Sequence, residues 1–152
     1  MKKLILLHII FLCIYAKAQQ MEPLSVDEVE TMAVFQGCEE FSKEVFLANS
    51  CLTKNLSDLV VDELFSIIQF QNLKDTNQIY VNLKFTLTKN GRIRNPIILD
   101  SNNEKIAQQS KIALLRVANK LSKNGDFISP ARNKEGMPVD LSFNLPIILN
   151  IQ

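Results

Sequence analysis

Apolar and polar residues alternate most regularly over residues 79–88, where every second side chain is apolar. A period of two over ten residues predicts a β-strand with one buried face and one solvated face. The Asn90-Gly91 pair that follows favours a tight hairpin turn with positive φ angles, so residues 92–100 are predicted to return antiparallel beside the first strand. Pro96 cannot donate to a β-ladder, and we expect a bulge or an edge position near Asn95 and Pro96.

Two segments show the three- and four-residue steps of an amphipathic helix. The first is residues 50–69, whose apolar positions are Leu52, Leu56, Val60, Leu64 and Ile67. The second begins after Ser101 or Asn102, either of which is suited to cap a helix, and its apolar positions run from Ile106 to Leu121. Gly125 follows, where this helix is predicted to end.

The C-terminal part predicts a loop and a last strand. Residues 127–138 hold Pro130, Gly136 and Pro138 and predict the loop, and residues 139–147 alternate again. Pro146 marks the point where pairing on one side of that strand must stop. The order helix, strand, strand, helix, strand predicts a small α+β module whose final strand can lie at a sheet edge, where another chain can pair.

The N-terminal residues predict export. Lys2 and Lys3 precede an apolar run of twelve residues, 4–15, and Ala16 and Ala18 are small residues at the positions that a signal peptidase reads. Because a spanning helix needs about 20 apolar residues, we expect a signal peptide at residues 1–18, cleaved after Ala18. The alternative is an uncleaved signal anchor. The predicted divisions are therefore the signal at 1–18, a lead-in segment at 19–35 and a folded domain at 36–152, in a periplasmic or secreted protein.

Cleavage changes which chemistry the chain can carry. Without Lys2, Lys3 and Lys17, the mature chain holds 14 basic and 16 acidic residues, so no basic surplus favours a nucleic-acid partner. His8, the only histidine, also leaves. Catalysis by a Ser-His-Asp or Cys-His arrangement and a histidine-ligated metal site are thereby excluded, and no cofactor is expected.

Cys38 and Cys51 are the cysteines of the mature chain. Their spacing does not match a C-x-x-C redox motif, and an exported protein enters an oxidising compartment, which favours a structural disulfide. Closing that loop would stabilise the fold by about 3 kcal/mol in the chain-entropy model. Two buried free thiols are the alternative.

These segments together resemble the C-terminal domain of the TonB family, in the form with an added N-terminal cysteine pair that is common in Bacteroidetes. The matching pieces are VFQGCEE at residues 34–40, the later Cys51, VNLKFTLTKNGRI at 81–93, the alanine-containing helix 106–121, and PARNKEGMPVDLSFNLPI at 130–147. The resemblance implies two helices packed on a three-stranded antiparallel sheet. In the energy transducers of the family, the last strand pairs with a short extended segment of an outer-membrane transporter, which is β-augmentation.

The chain departs from the transducer pattern, because it has no long proline-rich arm and loses its anchor if the signal is cleaved. The leading hypothesis is therefore a non-enzymatic module that pairs an extended segment of an envelope protein or outer-membrane transporter with its last strand. The predicted partner-binding residues are Val139, Asp140, Leu141, Ser142, Phe143, Asn144 and Leu145.

Several alternatives stay open from the sequence. The chain is an energy transducer if residues 4–15 are retained as an anchor. It is a structural domain if the last strand is covered by its own N-terminal segment or by a second copy. Two further sites are less favoured: a carboxylate enzyme site and an anion site on the second strand. Their candidate residues are Glu39, Glu40 and Glu44 for the former and Arg92 and Arg94 for the latter.

Overall fold

Two α-helices pack on one face of a three-stranded antiparallel sheet in a computed structural model that describes residues 22–68, 78–125 and 128–150. The elements are α1 (Val45–Ile67), β1 (Gln78–Leu87), β2 (Ile93–Ser101), α2 (Glu104–Asn124) and β3 (Leu141–Asn150). The strand order is β2-β1-β3, so β1 is central and both other strands are edges. The predicted α+β class and element order are confirmed, and the predicted signal peptide lies outside the described residues.

The strands divide the sheet into a buried face and a solvated face. Along β1 and β3 every odd-numbered residue is buried, and β3 pairs with β1 over ten consecutive residues without a shift in register. The rings of Phe85 and Phe143 meet in this core with centroids 5.3 Å apart. The alternation of apolar and polar residues in the sequence therefore corresponds to the buried and solvated faces of the sheet.

The second strand is irregular, as its proline indicated. The register of β2 against β1 shifts twice, once between Asn82 and Leu83 and once between Lys84 and Thr86. At the second shift Asn95 has a φ of 53°, a left-handed conformation for a residue with a side chain. The bulge predicted near Asn95 and Pro96 is confirmed.

The boundaries differ from the predictions in physically explicable ways. Helix α1 begins at Val45, five residues earlier than predicted, because Ala48 extends the buried stripe while Phe46 and Leu47 are exposed and interrupt the pattern. Helix α2 is capped by Asn103 rather than by Ser101 or Asn102, and the Asn103 side chain accepts a hydrogen bond from the Ile106 N–H at 3.0 Å.

Each helix covers a different part of the sheet. Helix α1 packs mainly over β3, whereas α2 packs over β2 and β1. The two helices are joined by Glu63 of α1, whose carboxylate accepts hydrogen bonds from Lys120 and, at 3.4 Å, from Arg116 of α2. The Lys120 ammonium is the main cause of a lowered pKa at Glu63, and Arg116 adds to it.

The N-terminal strap, residues 22–34, lies beside the start of β3 and the loop that precedes it. Its base bonds antiparallel to residues 129–132, with Thr31 facing Arg132 and Val34 facing Ser129. Met32 and Ala33 of the strap are fully buried in the common core. The strap contains a 3-10 turn, Val26–Glu28. The predicted disulfide between Cys38 and Cys51 is confirmed. The division of the chain at residue 36 stays a prediction.

Among the described residues no helix is both long and apolar enough to cross a membrane.

Candidate functional site

The outer edge of β3 can be identified from its hydrogen bonds to Leu24. The Leu24 N–H donates to the Asp140 carbonyl at 2.9 Å, and the Ser142 N–H donates to the Leu24 carbonyl at 2.7 Å. Leu24 lies on the side of β3 opposite to β1, so Ser142 directs its main-chain groups outward. Because main-chain groups alternate in direction along a strand, Asn144, Pro146 and Ile148 direct theirs outward as well.

Pro146 occupies a position where β3 tolerates a proline. It pairs with Asn82 of β1, yet its nitrogen points to the outer edge, so the ladder to β1 loses no donor. The strand therefore continues through Pro146 to Asn150, three residues beyond its predicted end. Pairing on the outer side, however, lacks one donor at this residue, as the sequence indicated.

The remaining outward groups form a short, nearly continuous row. The Pro146 carbonyl accepts a hydrogen bond from the Ser57 hydroxyl of α1 at 3.2 Å. The main-chain N–H and C=O of Asn144 and Ile148 have no outward partner within the described ranges. Asn144 and Ile148 can therefore each donate and accept on this edge, and Pro146 can accept.

A groove of about 520 Å³ runs between this edge and the flank of α1. Most of the residues that line it are of polar type, and its two charged side chains form one ion pair, Lys54 to Asp58 at 2.6 Å. The lining residues on α1 are Asn49, Ser50, Thr53, Lys54, Ser57 and Asp58, and those on β3 are Asn144 and Pro146. The groove places hydrogen-bonding side chains next to an open row of main-chain groups.

The predicted partner-binding residues occupy three different environments. Leu141, Phe143 and Leu145 are buried in the core and turn their main-chain groups toward β1. Their side chains are therefore not part of the outer surface, although they fix the strand in place.

The other four predicted residues differ in how far the chain already uses them. The Val139 N–H donates to the Ala131 carbonyl at 3.0 Å, and the Asp140 carboxylate accepts from the Lys89 N–H at 2.7 Å. Ser142 is half-buried and bonded to Leu24, whereas Asn144 is exposed with its outward main-chain groups open. The role of all seven in binding stays a prediction.

Ile148 is the residue of this edge that the sequence did not indicate. It lies in the run Ile147-Ile148-Leu149, where alternation between apolar and polar residues is lost. Its side chain is 58% exposed on the solvated face of the sheet, opposite Tyr80 of β1. The signal available in the sequence was the continued recurrence of apolar residues at every second position, Leu145, Ile147 and Leu149.

The two less favoured sites are placed as follows. Glu39 accepts hydrogen bonds from the Gly37 N–H, which lowers the pKa of its carboxyl, and Glu44 is the N-cap residue of α1. Arg92 and Arg94 are exposed near the β1–β2 turn. In the part of the chain that the structure describes, no group of three or more His, Cys, Asp or Glu residues is arranged to hold a metal ion.

Comparison with known proteins gives one similar structure to report. The solution NMR structure of the TonB C-terminal domain from Helicobacter pylori is similar over 78% of this chain and 95% of that chain, with 11% sequence identity and a TM-score of 0.41. No family model and no curated protein matches the chain.

Proposed function

We propose that this protein is a non-enzymatic binding module of the cell envelope, which adds an extended segment of a partner protein to the outer edge of β3. The observation that supports it best is the row of outward main-chain groups at Asn144, Pro146 and Ile148, beside an open groove. Main-chain bonds supply affinity in β-augmentation, and side-chain contacts supply selectivity. The partner is an envelope protein or an outer-membrane transporter segment.

The proposed pairing starts at Asn144 because Leu24 already occupies the preceding position. A partner strand that extends to Ser142 has to displace Leu24, which is held there by two main-chain hydrogen bonds. The base of the strap stays in place in either case, since its residues Met32 and Ala33 are buried. The partner-binding segment is thus the second half of β3. Asp140 and Ser142 join it only when Leu24 is displaced, and Val139 also has to give up its bond to Ala131.

Capture of partners from envelope extract tests the proposal. Asn144→Pro removes one outward N–H without removing a bond to β1, so we expect the variant to fold and to lose the captured partners. Asn144→Ala changes the same side chain but keeps the N–H, and it should capture the same partners as the wild type. Equal capture by Asn144→Pro and the wild type would show that the edge is not the binding site.

A second candidate function is a structural domain whose β3 edge is covered by its own chain. The contact of Leu24 with Asp140 and Ser142 favours it, because it covers one position of that edge. In that case removal of the contact should change stability but recruit no partner. Leu24→Gly keeps the main-chain groups but removes the side chain that packs against the core, so it loosens the contact. In the same capture experiment, a gain of captured protein supports the binding module.

The transducer alternative depends on residues outside the described ranges. N-terminal sequencing of the exported protein decides it, because a chain that starts at Gln19 retains no anchor. Such a start also supports the proposed periplasmic or secreted location.

A further inference from the structure

We propose that the outer edge of β3 admits an isolated extended segment and rejects a second copy of this chain. The inference rests on the proposed function, because it specifies which strands the edge accepts. An exposed edge strand is a template for pairing with another chain, including a second copy, unless something prevents it. In this molecule, the position of α1 and the proline in β3 both act against self-pairing.

The first obstacle is the flank of α1. This helix packs mainly over β3, and its Ser57 hydroxyl reaches the outward carbonyl of Pro146, so the flank extends to the edge of the sheet. In a symmetric dimer the two β3 strands would lie about 4.8 Å apart. Two helices centred over them would approach to about 5 Å, although packed helices need about 8–10 Å between axes.

The helix cannot avoid this contact by being short. It has 23 residues and is therefore about 35 Å long, which matches the length of a ten-residue strand. An isolated segment carries no helix above it, so the same edge is accessible to it.

The second obstacle is Pro146. Antiparallel pairing of two copies about a two-fold axis brings both prolines into the ladder in every register that has its axis between Asn144 and Ile148. Two carbonyl groups of the dimer would then lack a donor, whereas a foreign segment meets a single proline. Pro146 therefore penalises the self-pair more than the pair with a partner.

The groove also indicates the chemistry of the accepted segment. Residues of an added strand that face α1 meet Asn49, Ser50, Thr53 and Ser57, which favour small polar side chains. The Lys54–Asp58 pair balances its own charge, so the groove offers no net charge to a charged segment.

On the solvated face of the sheet, by contrast, an added strand would meet apolar side chains. Ile148 is 58% exposed and Tyr80, its cross-strand partner, is 41% exposed. An added strand lies next to Ile148 but one strand further from Tyr80, so an apolar side chain in it would cover Ile148. The accepted segment is therefore uncharged, with small polar residues on the helix side and apolar residues on the solvated side.

Sedimentation velocity and NMR titration test the proposal together. The probe is a synthetic decapeptide of alternating Ser and Val with a two-Lys tail, and its control has a proline at the centre. We expect the wild type to stay monomeric at submillimolar concentration, and the probe, but not the control, to shift the amide signals of Asn144 and Ile148.

Pro146→Ala sharpens the test because it restores one outward donor and leaves α1 in place. We expect this variant to bind the probe about twofold to tenfold more tightly, as one added hydrogen bond allows, and to stay monomeric. A dimer of the wild type or of Pro146→Ala that protects the Asn144 and Ile148 amides overturns the inference. Monomers that bind no probe contradict the proposed function instead, while the rejection of a second copy stands.

Discussion

The two edges of the sheet are protected in different ways. The β2 edge is irregular along its length, with two register shifts, a left-handed Asn95 and a proline at the bulge. The β3 edge pairs regularly with β1 over ten residues and is interrupted at Leu24 and Pro146 alone within the described ranges. Bulges and prolines both disfavour pairing with another chain, but a bulge displaces the whole edge and a single proline removes one donor.

This difference predicts that an added strand is disfavoured more at the β2 edge than at the β3 edge. A regular strand with two blocked positions keeps its outward direction and spacing, which a partner strand needs. Substitutions that remove main-chain donors or side-chain contacts around β3 test this comparison of the two edges.

The largest effect is expected from proline substitutions at adjacent residues of β3. Leu145→Pro removes a buried leucine and a donor to β1, so the free energy of unfolding should fall by more than about 4 kcal/mol. Asn144→Pro removes a donor on the open side and should change it by less than about 1 kcal/mol. Urea denaturation measures both free energies of unfolding. Equal losses would contradict the assignment of the even-numbered residues of β3 to the outer side of the strand.

A smaller loss is expected when the disulfide is removed. The double variant Cys38→Ser and Cys51→Ser should lower the free energy of unfolding by about 3 kcal/mol, because the unfolded chain regains the entropy of the open loop. Reduction of the wild type is the matched control and should give the same loss. If both leave the thermal midpoint unchanged, the disulfide does not stabilise the fold.

Glu63 links the helix over β3 to the helix over β2, and it should make stability sensitive to acid. Its pKa in the folded state is lowered, so its stabilisation is present above the unfolded value near 4.5 and is lost as the pH falls through the folded pKa. We expect Glu63→Gln to be about 1 kcal/mol less stable at neutral pH.

The pH dependence provides the control for that variant. As the pH falls from about 5 to about 3, the midpoint temperature of thermal unfolding should fall less for Glu63→Gln than for the wild type. Asp58→Asn, which removes an exposed ion pair, should leave the decline as it is in the wild type. Parallel curves for Glu63→Gln and the wild type would contradict the role of this carboxylate.

The smallest effect is expected at the strap contact. Leu24→Ala should lower the free energy of unfolding by about 1 kcal/mol or less, since Leu24 is half-buried and keeps its main-chain groups. Hydrogen exchange should nonetheless show a local change: the Ser142 amide, slower than those of Asn144 and Ile148 in the wild type, should exchange faster in the variant. An unchanged Ser142 rate would show that the strap does not open separately.

Sequence alone determined the class and order of the elements. The alternation from Ile79 to Leu87, the Asn90-Gly91 turn and the cysteine pair are local signals, since each depends on spacing along the chain. Pro96 and Pro146 even marked where pairing would be irregular or one-sided, because a missing N–H has the same consequence in any strand. The α-helix start at Val45 was missed because two exposed apolar residues hid the buried stripe.

Only the tertiary structure decided which part of β3 is open. Two contacts between segments far apart in the chain make this difference: Leu24 bonds to Ser142, and Ser57 bonds to Pro146. As a result, the open edge lies at Ile148 and not at Val139. Alternation specifies that a strand has two faces and two sides, but not which neighbour occupies each side. The packing of the strap and α1 around β3 makes that choice, and it moves the candidate site toward the C-terminal half of the strand.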